Sequence, residues 1–118
     1  MPFHCSVEDG VFVIRATGVV RMSDVEAMGV GADVYFAEPG CKGLFLCDNS
    51  DLKVISPDAS DALVTRMRHV NATLVRSAFV VGDGTAALQL SRMIRDAGSD
   101  KRRTFTSVIQ AMAWLKGP

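Results

Sequence analysis

The sequence predicts an α/β domain over residues 1–118, a mixed sheet of about five strands covered by about four helices in the order ββαβαβαβα. Three observations predict it. Asp9-Gly10 lies between two β-rich runs and marks a hairpin, because glycine takes positive φ without strain. Further on, short apolar runs alternate with stretches of helical periodicity, the pattern of strand–helix units joined by right-handed crossovers. Helix start signals led by serine at 23, 56 and 107 fix the phase of three of the helices.

Taken in order, "FHCSV" and "VFVIRAT" predict strands at about 3–7 and 11–17. "RMSDVEAM" carries a capping box in which Ser23 accepts from the backbone three residues on and Glu26 reaches back. The helix it opens repeats Val25, Met28, Ala32 and Tyr35 or Phe36 on one face. Gly29 and Gly31 weaken it by about 1 kcal/mol each relative to alanine, which points to close packing there. Pro39-Gly40 ends it. "KGLFLCD" is a continuous apolar run, as a strand buried on both faces requires. A short loop then leads to Ser56-Pro57-Asp58: an N-cap, a proline at the first helical position and an acid in the first turn. Ala59, Leu63, Met67 and Val70 make the buried stripe of this helix, with Arg66 and Arg68 on its wet side. "VRSAFVVG" is the next strand. "DGTAALQLSRMIRDAG" is the third helix, with Leu90, Ile94 and Ala97 inward and Gly98 as its stop. "RRTFT" reads as a last short strand. Ser107 and Gln110 then form a second capping box, opening a helix on which Val108, Ala111, Met112 and Leu115 share a face.

Bulk properties exclude several classes. A chain of 118 residues is large enough for one hydrophobic core and too short for two. Thirteen basic and thirteen acidic residues leave no net charge, so nothing draws the whole chain to nucleic acid or an anionic membrane. "DKRRT" at 100–104 is the single basic run and reads as a solvated turn. The opening "MPFHCSVEDG" has neither a basic leader nor an apolar stretch, and no apolar run approaches the ~18 residues that span a bilayer. No membrane insertion is expected. Cys5, Cys41 and Cys47 are odd in number and lack metal-site spacing, so reduced thiols in a cytoplasmic protein are expected. Cys47, within an apolar run, reads as a buried small hydrophobe.

Ligands of open sheets gather at the carboxyl ends of parallel strands. Asp48, Asn49, Ser56, Gly82, Asp83 and Thr85 are expected to meet there, and with Asp58 and Gly84 they form the candidate ligand- or partner-binding set. "VVGDGTAAL" has neither the lysine of a Walker loop nor the three glycines of a dinucleotide turn, so Asp83 or Thr85 reads as a helix cap. Asp48 ends a buried strand, yet "FVIRATG" supplies no acidic pair to hold magnesium with it. His4 and His69 stand near no ligand cluster, and Trp114 reads as a packing residue. No nucleophile elbow is present. The sequence therefore assigns no catalytic residue, no metal and no cofactor, and the chain is not expected to be an enzyme.

The order of elements, together with "GLFLCDNSDLKVISPDAS" and the ending "FTSVIQAMAWL", resembles the STAS domain. That is the fold of the anti-sigma-factor antagonists (SpoIIAA-like proteins) and of sulphate-transporter tails. The resemblance covers nearly the whole chain and extends to small stand-alone bacterial members. It implies a non-catalytic regulatory module acting through protein–protein contacts, with an anti-sigma-like or other regulator as partner and homodimerisation left open. The antagonists carry an Asp-Ser-Ser-Gly-like motif whose serine is phosphorylated. Here "VISPDAS" stands in that place, so Ser56 falls at or beside the phosphoacceptor while Pro57-Asp58-Ala59 replace the rest. As a cap alone, its hydroxyl is worth about 1 kcal/mol. The alternative reading is a small-ligand carrier or sensor holding an anion, nucleotide or lipid between the sheet and its helices.

Overall fold

The computed structural model describes residues 3–118; Met1 and Pro2, part of the opening read above for a leader, lie outside them. Strands β1 (Phe3–Glu8) and β2 (Val11–Val20) are joined through Asp9 and Gly10, whose φ values are 54° and 80°. Two successive positive φ values make the tight turn that suits the twist of a hairpin. The chain continues through α1 (Met22–Ala37), β3 (Leu44–Ile55), α2 (Pro57–Val70), β4 (Arg76–Val81), α3 (Thr85–Ala97), β5 (Arg102–Phe105) and α4 (Val108–Lys116). The sheet order is β1-β2-β3-β4-β5, with β1 and β2 antiparallel and the other pairs parallel.

Each parallel strand is added at the same edge, so right-handed crossovers place α1, α2 and α3 together on one face of the sheet. Alternation along the strands then divides the interior into two cores. Phe12, Ile14, Leu52 and Phe79 pack under α1–α3, while Val11, Val13, Leu46 and Val80 pack under Ala111 and Leu115 of α4. The run "GLFLCD" is buried on both faces because Leu44 and Leu46 join one core and Phe45 and Cys47 border the other.

Tyr35 on α1 reaches across this framework. Its hydroxyl donates to Gly10 O at 2.6 Å and accepts from Leu44 N at 3.0 Å, tying helix, hairpin and β3 together. Gly29 and Gly31 do mark close packing: a Cβ would lie 2.8 Å from the Arg66 guanidinium at the first and 3.2 Å from Phe12 at the second.

Several expectations change. The α1 start lies earlier than the Ser23–Glu26 box: Arg21 is the cap residue, and its N–H donates to Asp24 Oδ2 at 2.9 Å. Strand β3 does not stop at Asp48 but runs seven residues further, to Ile55. The long β2 supplies its partner, through two register shifts that leave β3 one residue longer at each. Arg66 is not on a free wet face, since its Nη2 donates to Gly29 O (3.0 Å) and Asp33 Oδ1 (2.7 Å) across the α1–α2 seam. "DKRRT" is no plain solvated turn either: Arg102 is buried, donating to Asn71 Oδ1 and to Met67 O at 2.7 Å.

Candidate functional site

Helices α1, α2 and α3 each follow a parallel strand, so their N-termini open at one end of the sheet. Two local contacts define that end. Ser56 N donates to Val20 O at 2.9 Å, which sets the start of α2 beside the start of α1. Gln89, in the second turn of α3, donates Nε2–H to Ile55 O (2.8 Å) and accepts from Ile55 N (2.9 Å). Strand β3 outruns β4 after Asn49–Val81, so its far edge has no strand neighbour there. The Gln89 amide takes the place of that missing strand.

Ser56 is the N-cap residue of α2, with extended φ/ψ of −62° and 151° and Pro57 at the first helical position. Its hydroxyl does not cap the backbone as expected. Instead Ser56 Oγ donates to Asp58 Oδ1 at 2.7 Å, and that same oxygen accepts from Ala59 N at 2.9 Å. The carboxylate serves the first turn, and the serine steadies the carboxylate. The Ser56 hydroxyl and then the Ala59 N–H hold the Asp58 carboxyl below its ordinary range. A phosphate on Ser56 would stand against that ionised group.

The α3 start corrects a second expectation. Gly84, with φ 94°, is the cap residue, and neither Asp83 nor Thr85 supplies a side-chain cap. Gly82 is required for a different reason: a Cβ there would sit 2.6 Å from Ser50 O. The glycine lets the end of β4 press against β3.

Of the candidate set, Ser56, Asp58, Asp83, Gly84 and Thr85 share the helix-start end, with Gly82 just behind them. Asp48 does not join them. It sits mid-strand on the α4 face, 4.0 Å from Arg15 Nε, and accepts from Ser50 Oγ at 2.7 Å and Ser50 N at 3.2 Å. Asn49 is buried on the opposite face, its Nδ2 donating to Cys47 O at 3.3 Å. The two were expected to act together, yet successive residues of a strand face opposite ways.

Periodicity missed two exposed apolar side chains at this end. Met22 opens α1 at 37% relative exposure and Leu88 lies in the first turn of α3 at 74%. On helices with an inward stripe, both read merely as off-stripe residues. Among the described residues no group of histidine, cysteine, aspartate or glutamate could hold a metal, and no helix is long and apolar enough to cross a membrane. Cys5, Cys41 and Cys47 are unpaired, and burial pushes the Cys5 and Cys47 thiols up.

No family model matches the sequence, and no curated protein matches it. Solved structures match it closely in shape. An uncharacterised protein with a SpoIIAA-like fold from Shewanella loihica PV-4 superposes with a TM-score of 0.72 at 16% identity, over 96% of this chain and 91% of that one. A putative anti-sigma factor antagonist from Thermotoga maritima gives 0.74 at 14% identity, over 98% and 95%. The Bacillus cell fate determinant SpoIIAA in its phosphorylated form gives 0.67 at 14% identity, over 97% and 99%. The chain therefore has a SpoIIAA-like fold, the STAS architecture.

Proposed function

We propose that this chain is a non-catalytic regulatory module that binds a protein partner with the end of the sheet where α1, α2 and α3 begin. One observation carries the reading: exposed Met22 and Leu88 lie at the starts of α1 and α3, at the same end of the sheet as Ser56 and Asp58, and apolar side chains beside charged helix starts suit a partner surface. The structural likeness to a putative anti-sigma factor antagonist and to SpoIIAA supports a regulator as partner. The reading places the module in the cytoplasm, where three unpaired thiols persist. Ser56 works in it as a contact and positioning residue rather than as a phosphate carrier, because its hydroxyl already serves the Asp58 carboxylate, whose charge would repel a phosphate.

The test uses a partner enriched on the immobilised chain, then purified and titrated back. Leu88→Glu puts a charge in the centre of the surface while leaving the core untouched, and binding should weaken at least about tenfold. Ile109→Glu, equally exposed but on α4, should leave affinity unchanged. Equal affinity for wild type and Leu88→Glu would remove the surface from consideration.

A further inference from the structure

A cavity of about 110 Å³ lies between the sheet and the α1–α2–α3 layer. Its walls are apolar, with Met28 from α1, Leu63 and Met67 from α2, and Leu90 and Met93 from α3. Its polar lining comes from Asn49, Ser77 and Arg102 on the strands and from Arg66 at the α1–α2 seam. Ser77 and Arg102 are direct neighbours across the β4–β5 pairing, and both face the cavity.

These two residues are unusual in being buried with chemistry left unused. Ser77 is 3% exposed, and its hydroxyl takes part in no side-chain hydrogen bond among the described residues. No sealed side-chain nitrogen or oxygen there lacks a partner, so the hydroxyl opens onto the cavity. Arg102 is 8% exposed. Its guanidinium holds only neutral acceptors, Met67 O at 2.7 Å and Asn71 Oδ1, and the ion pairs among the described residues involve Arg15, Arg66 and Lys116 instead. No aspartate or glutamate lines the cavity. Burial depresses the pKa of this guanidinium, as expected of a cation without a counter-ion. The C-terminal dipole of α2 supplies some negative potential at Met67 O, but no full charge. A buried cation beside an apolar void is an incomplete set, and an anion with an apolar tail completes it.

We propose that this cavity binds a small aliphatic carboxylate of about four to six non-hydrogen atoms, the size that cavities of this volume accept. Its carboxylate sits on Arg102 and Ser77, and its chain lies among Met28, Met67 and Met93. Arg66, which also lines the cavity, bridges the α1–α2 seam through Gly29 O and Asp33. The site is internal and stands apart from the docking surface, so the two readings fail or succeed separately. It narrows the small-ligand possibility raised by the sequence to one chemical class.

The test titrates the full chain, labelled at its methionine methyls, with butyrate and in parallel with butyramide. Saturable butyrate shifts are expected at Met28, Met67 and Met93, with a Kd of about 1 mM for so small a ligand. Met22, on the surface, and Met112, on α4 across the sheet, should stay still. Butyramide should bind at least about tenfold more weakly, because it cannot form the charge-assisted bonds. Ser77→Ala should weaken butyrate by about threefold to tenfold while the spectrum shows a folded chain. Arg102→Lys keeps the charge and should keep the preference for butyrate over butyramide. Equal affinity for acid and amide would overturn the anion site. Unmoved Met28, Met67 and Met93 methyls at about twentyfold the expected Kd would overturn the ligand altogether.

Discussion

Gln89→Met tests how the candidate surface is held in place. The methionine keeps the length of the side chain but removes the two bonds, 2.9 and 2.8 Å long, that Gln89 makes to the N–H and C=O of Ile55. Each such bond is worth about 1 kcal/mol net, and a buried backbone group left without a partner costs about 1–3 kcal/mol. Both bonds are only part-buried, so water recovers a share, and the expected loss is about 2–3 kcal/mol. For a chain of this length that lowers the melting temperature by about 8–12 °C. Urea denaturation followed by circular dichroism should give a lower midpoint with an unchanged m-value. Gln89→Glu should not rescue: it keeps an acceptor for Ile55 N–H but turns a charged oxygen toward Ile55 O. A stability within about 0.5 kcal/mol of wild type for Gln89→Met would mean that the far edge of β3 needs no substitute strand. The Gln89 amide would then not be what holds the end of β3 at the α2 start.

Gly82→Ala forces a Cβ against Ser50 O and should cost about 1–3 kcal/mol in the same denaturation assay, whereas Gly84 fails through φ rather than contact. Ser56→Ala should be milder than the loss of a backbone cap, below about 0.5 kcal/mol, since its hydroxyl serves Asp58 and not an N–H. Ser56→Asp should be the less stable of the two at neutral pH, with the gap narrowing in acid as the carboxyls take up protons; a more stable Ser56→Asp would contradict the geometry. Asp58 and Asp9 both have lowered carboxyl pKa values, from the Ser56 hydroxyl and from Lys116 respectively. A lowered folded pKa contributes stability that is complete above the ordinary carboxylate value of about 4 and lost as the pH falls through the folded one. Acid titration of stability should therefore show a shallower acid limb in Asp58→Asn than in the wild type.

Element order was legible because the signals are local. Asp9-Gly10, the apolar run at 44–47 and the Ser107 cap, whose Oγ accepts from Gln110 N at 3.3 Å, each announce themselves within a few residues. The extent of β3 was not legible. "DNSD" has turn composition, and the strand passes through it only because β2 lies alongside with two register shifts. Extending β3 moved Asp48 away from Ser56, so the candidate site split into an end surface and two buried or sheet-face residues. Arg102 was hidden for a similar reason. Within "DKRRT" it looks like one charge of a solvated run, and only pairing with β4 turns it under α2. Ser56 shows the limit at atomic scale: its position as a cap was readable, but whether its hydroxyl would serve an N–H or the Asp58 carboxylate depended on rotamers. The stripe on α2 was right in direction, yet only Ala59 is fully buried; Leu63 and Met67 pack against the core and, with Val70, also line the cavity.

Amide line broadening of the labelled chain on titration with its purified partner tests the central claim most directly. The account predicts broadening at Met22, Ser56, Asp58 to Asp61 and Asp83 to Gln89, the starts of the three helices, with the β1–β2 hairpin and residues 100–104 unaffected. Broadening centred on Asp9-Gly10, on β5 or on α4, with the helix starts silent, would contradict it.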